Sequence, residues 1–235
     1  MSVPVTEKGF FMARKKINPE AIGTMSNEFI ANVYDNYPSS FADDDELLVL
    51  AVDGSKVTLP DTKQNEAVFG RLTGKPERQP VQALLSTLHD AGNNTKLDVL
   101  AVPYAGSEKA LADKHIEHYC QNYTHKALFT FDRGYVSIRL IDQIIHSGHY
   151  FLMRASTNVF KRYFAQVEVG EDKELEVTYD AKSTNEYRKD IRFRTHLMNT
   201  VFHLRFIKVV IGKNEDGTDN VEYLITNLPS GKYST

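Results

Sequence analysis

Two aspartates standing at the ends of apolar runs are the first residues in this chain that could do chemistry. In "LLVLAVDGSK" (residues 47–56) six apolar residues lead to Asp53, and in "LFTFDRGYVS" (residues 128–137) a second run ends on Asp132, followed at once by Arg133 and Gly134. Strands that deliver both carboxylates to one sheet edge would build a crevice suited to Mg²⁺ or Mn²⁺, which prefer hard oxygen ligands. Two such ions about 3.5–4 Å apart activate an attacking oxygen and stabilise a leaving one in phosphodiester cleavage. A plainer reading fits the same residues: Asp-Gly is a common turn, and an aspartate at a strand end can simply cap it.

The elements that must position these aspartates are legible as changes of hydrophobic period. Leu47–Val52 is apolar at every position, the pattern of a central strand covered on both faces, and ends at a Gly-Ser turn. Val81–Leu88 and Leu97–Tyr104 flank the turn-rich "DAGNNT" and predict an antiparallel hairpin. Ser107 is placed to N-cap a helix reaching about Gln121, with Leu111, Ile116, Tyr119 and Cys120 near one face. A strand over Ala127–Phe131, a helix over Val136–Ser147 stopped by Gly148, and a strand over Tyr150–Arg154 complete a β-β-β-α-β-α-β order. Beyond Ala155 the helical period fades, and "LEVTY", "IRFRTHL", "FHLRFIKVVIG" and "VEYLITNL" read as successive strands. The expected organisation is a helical lead-in over 1–46, an α/β core over 47–155 and a β-rich segment over 156–235. The lead-in holds Arg14-Lys15-Lys16, a helix from Pro19 to Tyr34 and the acidic run 43–46.

With 235 residues, 41% of them hydrophobic and 25% charged, the composition is that of a folded globular protein. Its apolar runs fall well short of the roughly 18 residues that span a bilayer, and no signal pattern opens the sequence, so the expected location is cytoplasmic. The single cysteine, Cys120, excludes an intrachain disulfide and a thiolate-rich zinc site, and its helical context reads as a buried, inert thiol. A net charge of −3 leaves nucleic-acid binding open, since that needs only a local patch. The best such patch is "YRKDIRFRTHL" (187–197): as a strand it would alternate Ile191 and Phe193 with Arg192 and Arg194, adding Arg188 and Lys189 beside them. A solvated edge strand that resists aggregation through charge is the competing reading.

The residues around the aspartates carry more. "LAVDGSKVTLPDT", "VPYAGSEKALAD", "LFTFDRGYVSIRLIDQIIHSGHYFLMRAS" and "VEYLITNLP", in that order, resemble a DDE-type bacterial insertion-sequence transposase. The similarity runs from about Ser2, through "FMARKKINPEA", to Leu228. The resemblance implies a ribonuclease-H-like mixed sheet with flanking helices, interrupted by a β-strand insertion. It implies Asp53 and Asp132 as the first two catalytic, metal-holding acids, Mg²⁺ or Mn²⁺ as cofactor, and transposon-end double-stranded DNA as partner, in a nucleoid-associated setting. The basic residues Arg133, Arg188, Lys189, Arg192 and Arg194 would grip that DNA, although Arg133 equally fits a neutralising neighbour of Asp132.

The family's third acid lies in a Tyr-x2-Arg-x3-Glu-x6-Lys helix after the insertion, and residues 1–235 do not contain it: three places after Tyr187 stands Asp190, and after Tyr223 stands Thr226. The expectation is therefore a fragment, inactive in strand transfer, which self-associates or binds an intact transposase through an uncovered apolar sheet face and so acts, if at all, as an inhibitor. Glu108, in the first turn of a helix, matches an acidic position of ribonuclease-H enzymes and offers a third ligand for a free-standing nuclease, although first-turn acids are common for dipole reasons alone. His115 with His118, and His146 with His149, have ligand-like spacing but no accompanying cysteine motif. "GRLTGKP" is no phosphate loop, because only three residues separate Gly70 from Gly74 and Pro76 stands where Ser or Thr is needed.

Overall fold

The computed structural model describes residues 6–37, 47–72 and 79–233, so the acidic run 43–46 and most of "GRLTGKP" fall outside the described residues. Eight strands form one mixed sheet: β1 (Leu48–Thr58), β2 (Gln82–Asp90), β3 (Thr95–Pro103), β4 (Ala127–Phe131), β5 (Tyr150–Ala155), β6 (Asp172–Val177), β7 (Phe202–Lys213) and β8 (Asp219–Thr226). Their order is β3-β2-β1-β4-β5-β8-β7-β6, with β1, β4 and β5 parallel and all other neighbours antiparallel. The strands of 156–235 thus continue the same sheet, through β8 on β5, with Met153 opposite Ile225.

The helices are α1 (Glu7–Arg14), α2 (Pro19–Asn36), α3 (Lys63–Phe69), α4 (Glu108–Asn122), α5 (Ile138–His146), α6 (Lys161–Phe164) and α7 (Ile191–Asn199). Ser107 caps α4 by accepting from the Ala110 N–H, and Gly148 follows α5 at φ 76°, a conformation that costs glycine little. Buried His115 pins α4 to the sheet, its Nδ1 2.7 Å from Asp98 and its Nε2 3.0 Å from Ser86. Both nitrogens are thereby engaged, and His118 does not join it in a metal-binding set.

Side chains alternate across a strand, and here the two faces differ sharply. Leu50, Val52, Phe129, Phe131, Phe151 and Met153 are buried in one core with Ile116 and Tyr119 of α4 and Ile141 and Ile144 of α5. On the other face Val49, Ala51, Leu128, Thr130, Leu152 and Leu224 are only half-buried. The expected two-sided burial of Leu47–Val52 is therefore corrected to one-sided. Cys120 is also corrected, since α4 buries Leu111, Ala112, His115, Ile116 and Tyr119 and turns the thiol outward.

The largest correction concerns 187–197, which forms no strand. After a single 3₁₀ turn at Asn185–Tyr187, Asp190 accepts a hydrogen bond from the Phe193 N–H and caps α7. "IRFRTHL" satisfies a period of two and a period of 3.6 alike, and the N-cap decides for the helix, with Phe193 and Leu197 turned inward four residues apart and Ile191 left 73% exposed.

Candidate functional site

β1 does not stop at Asp53. It runs on to Thr58, with Asp53 paired to Thr87 of β2, so the Gly-Ser turn expected there is absent. What ends beside Asp53 is the other neighbour: β4 leaves the sheet after Phe131 and turns through the 3₁₀ segment Arg133–Tyr135, whose N-cap is Asp132. The parallel ladder from Leu48 opposite Ala127 to Ala51 opposite Thr130 leaves each aspartate two residues beyond its last pair. Both side chains belong by alternation to the half-open face. They line one cleft of about 330 Å³ with Thr130, Leu152, Arg154 and Leu224.

The two carboxylates are unequally engaged. Asp53 Oδ1 accepts only the short-range N–H of Gly54, at 2.9 Å. Asp132, 65% exposed, accepts from Arg154 Nη1 at 3.0 Å. Arg154 also grips Glu222 of β8 through Nη2 at 2.7 Å and Nε at 3.2 Å, while Arg133 Nη2 reaches the same carboxylate at 2.6 Å. Glu222 is buried, and the hydrogen bonds from Arg154 and then Arg133 hold its pKa down at about 2. Sequence reasoning missed Glu222 altogether, because its meeting with Arg133 and Arg154 depends on the β5–β8 register. Arg154 was visible as the last residue of its strand and shares a face with Leu152, a signal that gains meaning only once β4 lies beside β5.

Glu108, in the first turn of α4, approaches β1 at Gly54, next to Asp53. A Cβ placed on Gly54 would lie 3.1 Å from the Glu108 carboxyl carbon and oxygen, so only glycine leaves this approach unhindered. Tyr135, 3% exposed, packs its ring against Phe131 at the end of β4. Burial, and then the charges of Glu108, Asp53 and Asp132, push its hydroxyl up to about 12. That hydroxyl has no hydrogen-bond partner among the described residues. A buried hydroxyl that feels the charge of Glu108, Asp53 and Asp132, beside a cleft lined by the two aspartates, fits a hydrated divalent cation, which would supply both positive charge and water oxygens.

The expected DNA-gripping set is dispersed by the helix at α7. Arg188, Lys189 and Arg192 are exposed, whereas Arg194 spends its donors on Thr184 Oγ1 at 3.2 Å and the Ala181 carbonyl at 3.0 Å. Arg133 is committed to Glu222. The alternating cationic face is thus replaced by a cluster at and before the start of α7.

No protein-family model and no curated protein matches the chain. Among solved structures, it is similar to a piggyBac transposase in a synaptic complex with hairpin DNA, at TM-score 0.40 and 11% identity over 76% of this chain. It spans 33% of the length of that transposase chain. It is also similar to endonuclease V of Ciona intestinalis in complex with DNA containing an inosine followed by a ribo-adenosine, at TM-score 0.27 and 13% identity, covering 89% of this chain and 83% of that one.

Proposed function

We propose that the chain is a DDE-transposase-type, metal-dependent phosphodiesterase, with a ribonuclease-H-like core over 47–155 and an insertion over 156–235, acting on double-stranded DNA at transposon ends. The observation that carries this reading is the in-register placement of Asp53 and Asp132 at the end of the β1–β4 ladder, both lining one cleft. The strand order β3-β2-β1-β4-β5, antiparallel and then parallel about β1, supports the same reading.

In this mechanism Asp53 and Asp132 would hold Mg²⁺ or Mn²⁺ through hard oxygen atoms, and Glu108, which approaches Gly54, would offer a third acid. When bound, the metal supplies the charge that polarises the phosphoryl oxygen and acidifies the attacking water or hydroxyl. Arg154, 46% exposed, is placed to exchange Asp132 for a DNA phosphate, keeping its other nitrogens on Glu222. Tyr135, whose hydroxyl feels the charge of these acids and makes no hydrogen bond among the described residues, would be able to donate to an oxygen brought near it.

A second reading, a DNA-binding chain without turnover that pairs with an intact transposase and inhibits it, is favoured by one observation: Arg154 already neutralises Asp132. Nicking of supercoiled DNA with Mg²⁺ or Mn²⁺ separates the two. Nicking by the full chain that disappears in Asp53→Asn and Asp132→Asn supports the phosphodiesterase. Retained DNA binding with no nicking in either metal supports the inhibitor.

A further inference from the structure

We propose that Asp142, His146 and His196 form a second metal site, chemically distinct from the aspartate cleft, that takes a borderline transition-metal ion such as Zn²⁺ or Co²⁺ and clamps α7 onto α5. Asp142 and His146 are four residues apart on α5 and therefore share a face. α7 brings His196 against them from a segment more than fifty residues away, with Nε2 2.8 Å from Asp142 Oδ1. His146 Nδ1 lies 3.1 Å from the same oxygen. One ligand atom from each of the three residues falls within 4.8 Å of the others.

The two separations to Asp142 Oδ1 fall a little short of what a metal requires. Tetrahedral ligands at 2.0–2.1 Å from zinc sit about 3.3 Å apart, so each imidazole nitrogen would draw back from that oxygen by a few tenths of an ångström, and His146 Nδ1 would exchange its 2.9 Å contact with the Asp142 carbonyl for the ion. Two imidazoles with one carboxylate make a set that favours Zn²⁺, Co²⁺ or Ni²⁺ over Mg²⁺, whereas the aspartate cleft has the opposite preference. Three protein ligands leave a fourth position for water, and with His146 56% and His196 37% exposed that position opens to solvent. Asp142 is mostly buried, which fixes the carboxylate on which both rings converge. His196 also has an outer partner, since Thr200 Oγ1 approaches its Nδ1 at 3.5 Å while donating to the His196 carbonyl at 2.8 Å.

The site would complete a strap that already exists without metal. One turn away on α5, Arg139 pairs with Asp190 at 2.7 Å and lies over the Phe193 ring at 4.0 Å, holding the start of α7. The histidine cluster holds its other end. The strap ties the exposed basic cluster before α7 to the helix that follows Asp132 and Tyr135.

Cobalt and zinc titrations of the full chain test this, performed in an Asp53→Asn, Asp132→Asn background so that the aspartate cleft loses both of its aspartate ligands. The expected result is one equivalent of Co²⁺ with the visible absorption of a four-coordinate nitrogen and oxygen site, displaced by Zn²⁺, and a melting temperature about 5 °C higher at 100 times the Kd. Adding His146→Asn or His196→Asn should weaken binding at least tenfold and cut the melting shift at the same metal concentration to about half or less. His146 is the safer variant for folding because more than half of it is exposed. No saturable Co²⁺ or Zn²⁺ binding up to millimolar concentration, or binding that survives both histidine substitutions, overturns the proposal.

Discussion

The two faces of the central strands are made by the same residues in alternation, yet they have opposite characters. On the helix side Leu50, Phe129, Phe151 and Met153 are almost completely removed from water. One residue away along each strand, Val49, Leu128, Thr130 and Leu152 are half-exposed and lead to Asp53, Asp132 and Arg154. Burial is concentrated on the first face, and the proposed chemistry would lie on the second, so substitutions one position apart should separate the two. Ionised groups at the open face keep water and remain available to a ligand, which the dry face could not permit without large desolvation costs.

The strongest test of this division truncates a fully buried ring. Phe129→Ala on the helix side should cost about 4 kcal/mol in denaturant unfolding, because the ring leaves a cavity against Tyr119 and Phe131. Leu128→Ala, the adjacent residue on the open face, should cost about 1 kcal/mol, since much of its area is already hydrated. Equal losses would show that the open face is buried in solution, by a second copy or another chain.

Next in size is the reverse experiment. Asp132→Asn should lower metal-dependent nicking about 10²–10³-fold, equivalent to roughly 3–4 kcal/mol of transition-state stabilisation, while leaving the melting temperature close to that of the parent. An exposed aspartate paired with one half-exposed arginine contributes little to folding. A large drop in melting temperature with unchanged nicking would reverse the assignment of the two faces.

How much of this was legible in the sequence follows from the range of each signal. The hairpin, α4 with its Ser107 cap, and the strand Ala127–Phe131 rest on local periods and turn residues, and all are found where those signals place them. Asp53 and Asp132 could be paired because both follow apolar runs. Their partners could not: Glu222 lies 89 residues from Arg133 along the chain and meets it only through sheet register. α7 was misread because a short stretch with two compatible periods is decided by its cap, and Asp190, which supplies that cap, was not read as one. The half-open face was hidden for a related reason, since an apolar run records what a strand prefers to bury and not how many layers are present to bury it.

A smaller effect is expected at the Arg133–Glu222–Arg154 bridge. Glu222→Gln should destabilise the fold by about 2 kcal/mol, because charge-assisted hydrogen bonds from two guanidiniums are weakened together. The folded-state pKa of Glu222 lies at about 2, below its ordinary 4.5, so its contribution is complete above that ordinary value and is lost as pH falls through the folded-state value. Parent and Glu222→Gln stability curves should therefore be parallel near neutrality and converge between about pH 4.5 and 2. A gap that stays constant through that window would assign the loss to packing.

The smallest effect sharpens the comparison most, because Tyr135 is linked to both faces: its ring lies against Phe131 in the core, and its hydroxyl feels the charge of Glu108, Asp53 and Asp132. Without metal the hydroxyl is buried and unpartnered, so Tyr135→Phe removes a desolvated group that makes no compensating bond, and stability should stay within about 1 kcal/mol of the parent or rise slightly. With saturating Mg²⁺ or Mn²⁺ the hydroxyl would gain an oxygen to bond, and the parent should then gain more melting temperature from the metal than Tyr135→Phe does. The informative quantity is that difference between two differences, measured by thermal melts of both proteins with and without Mn²⁺. A metal-induced shift of the same size in both would mean that the hydroxyl takes no part in the ion's coordination sphere. The cation, if bound, would then rest on Asp53, Asp132 and Glu108 alone.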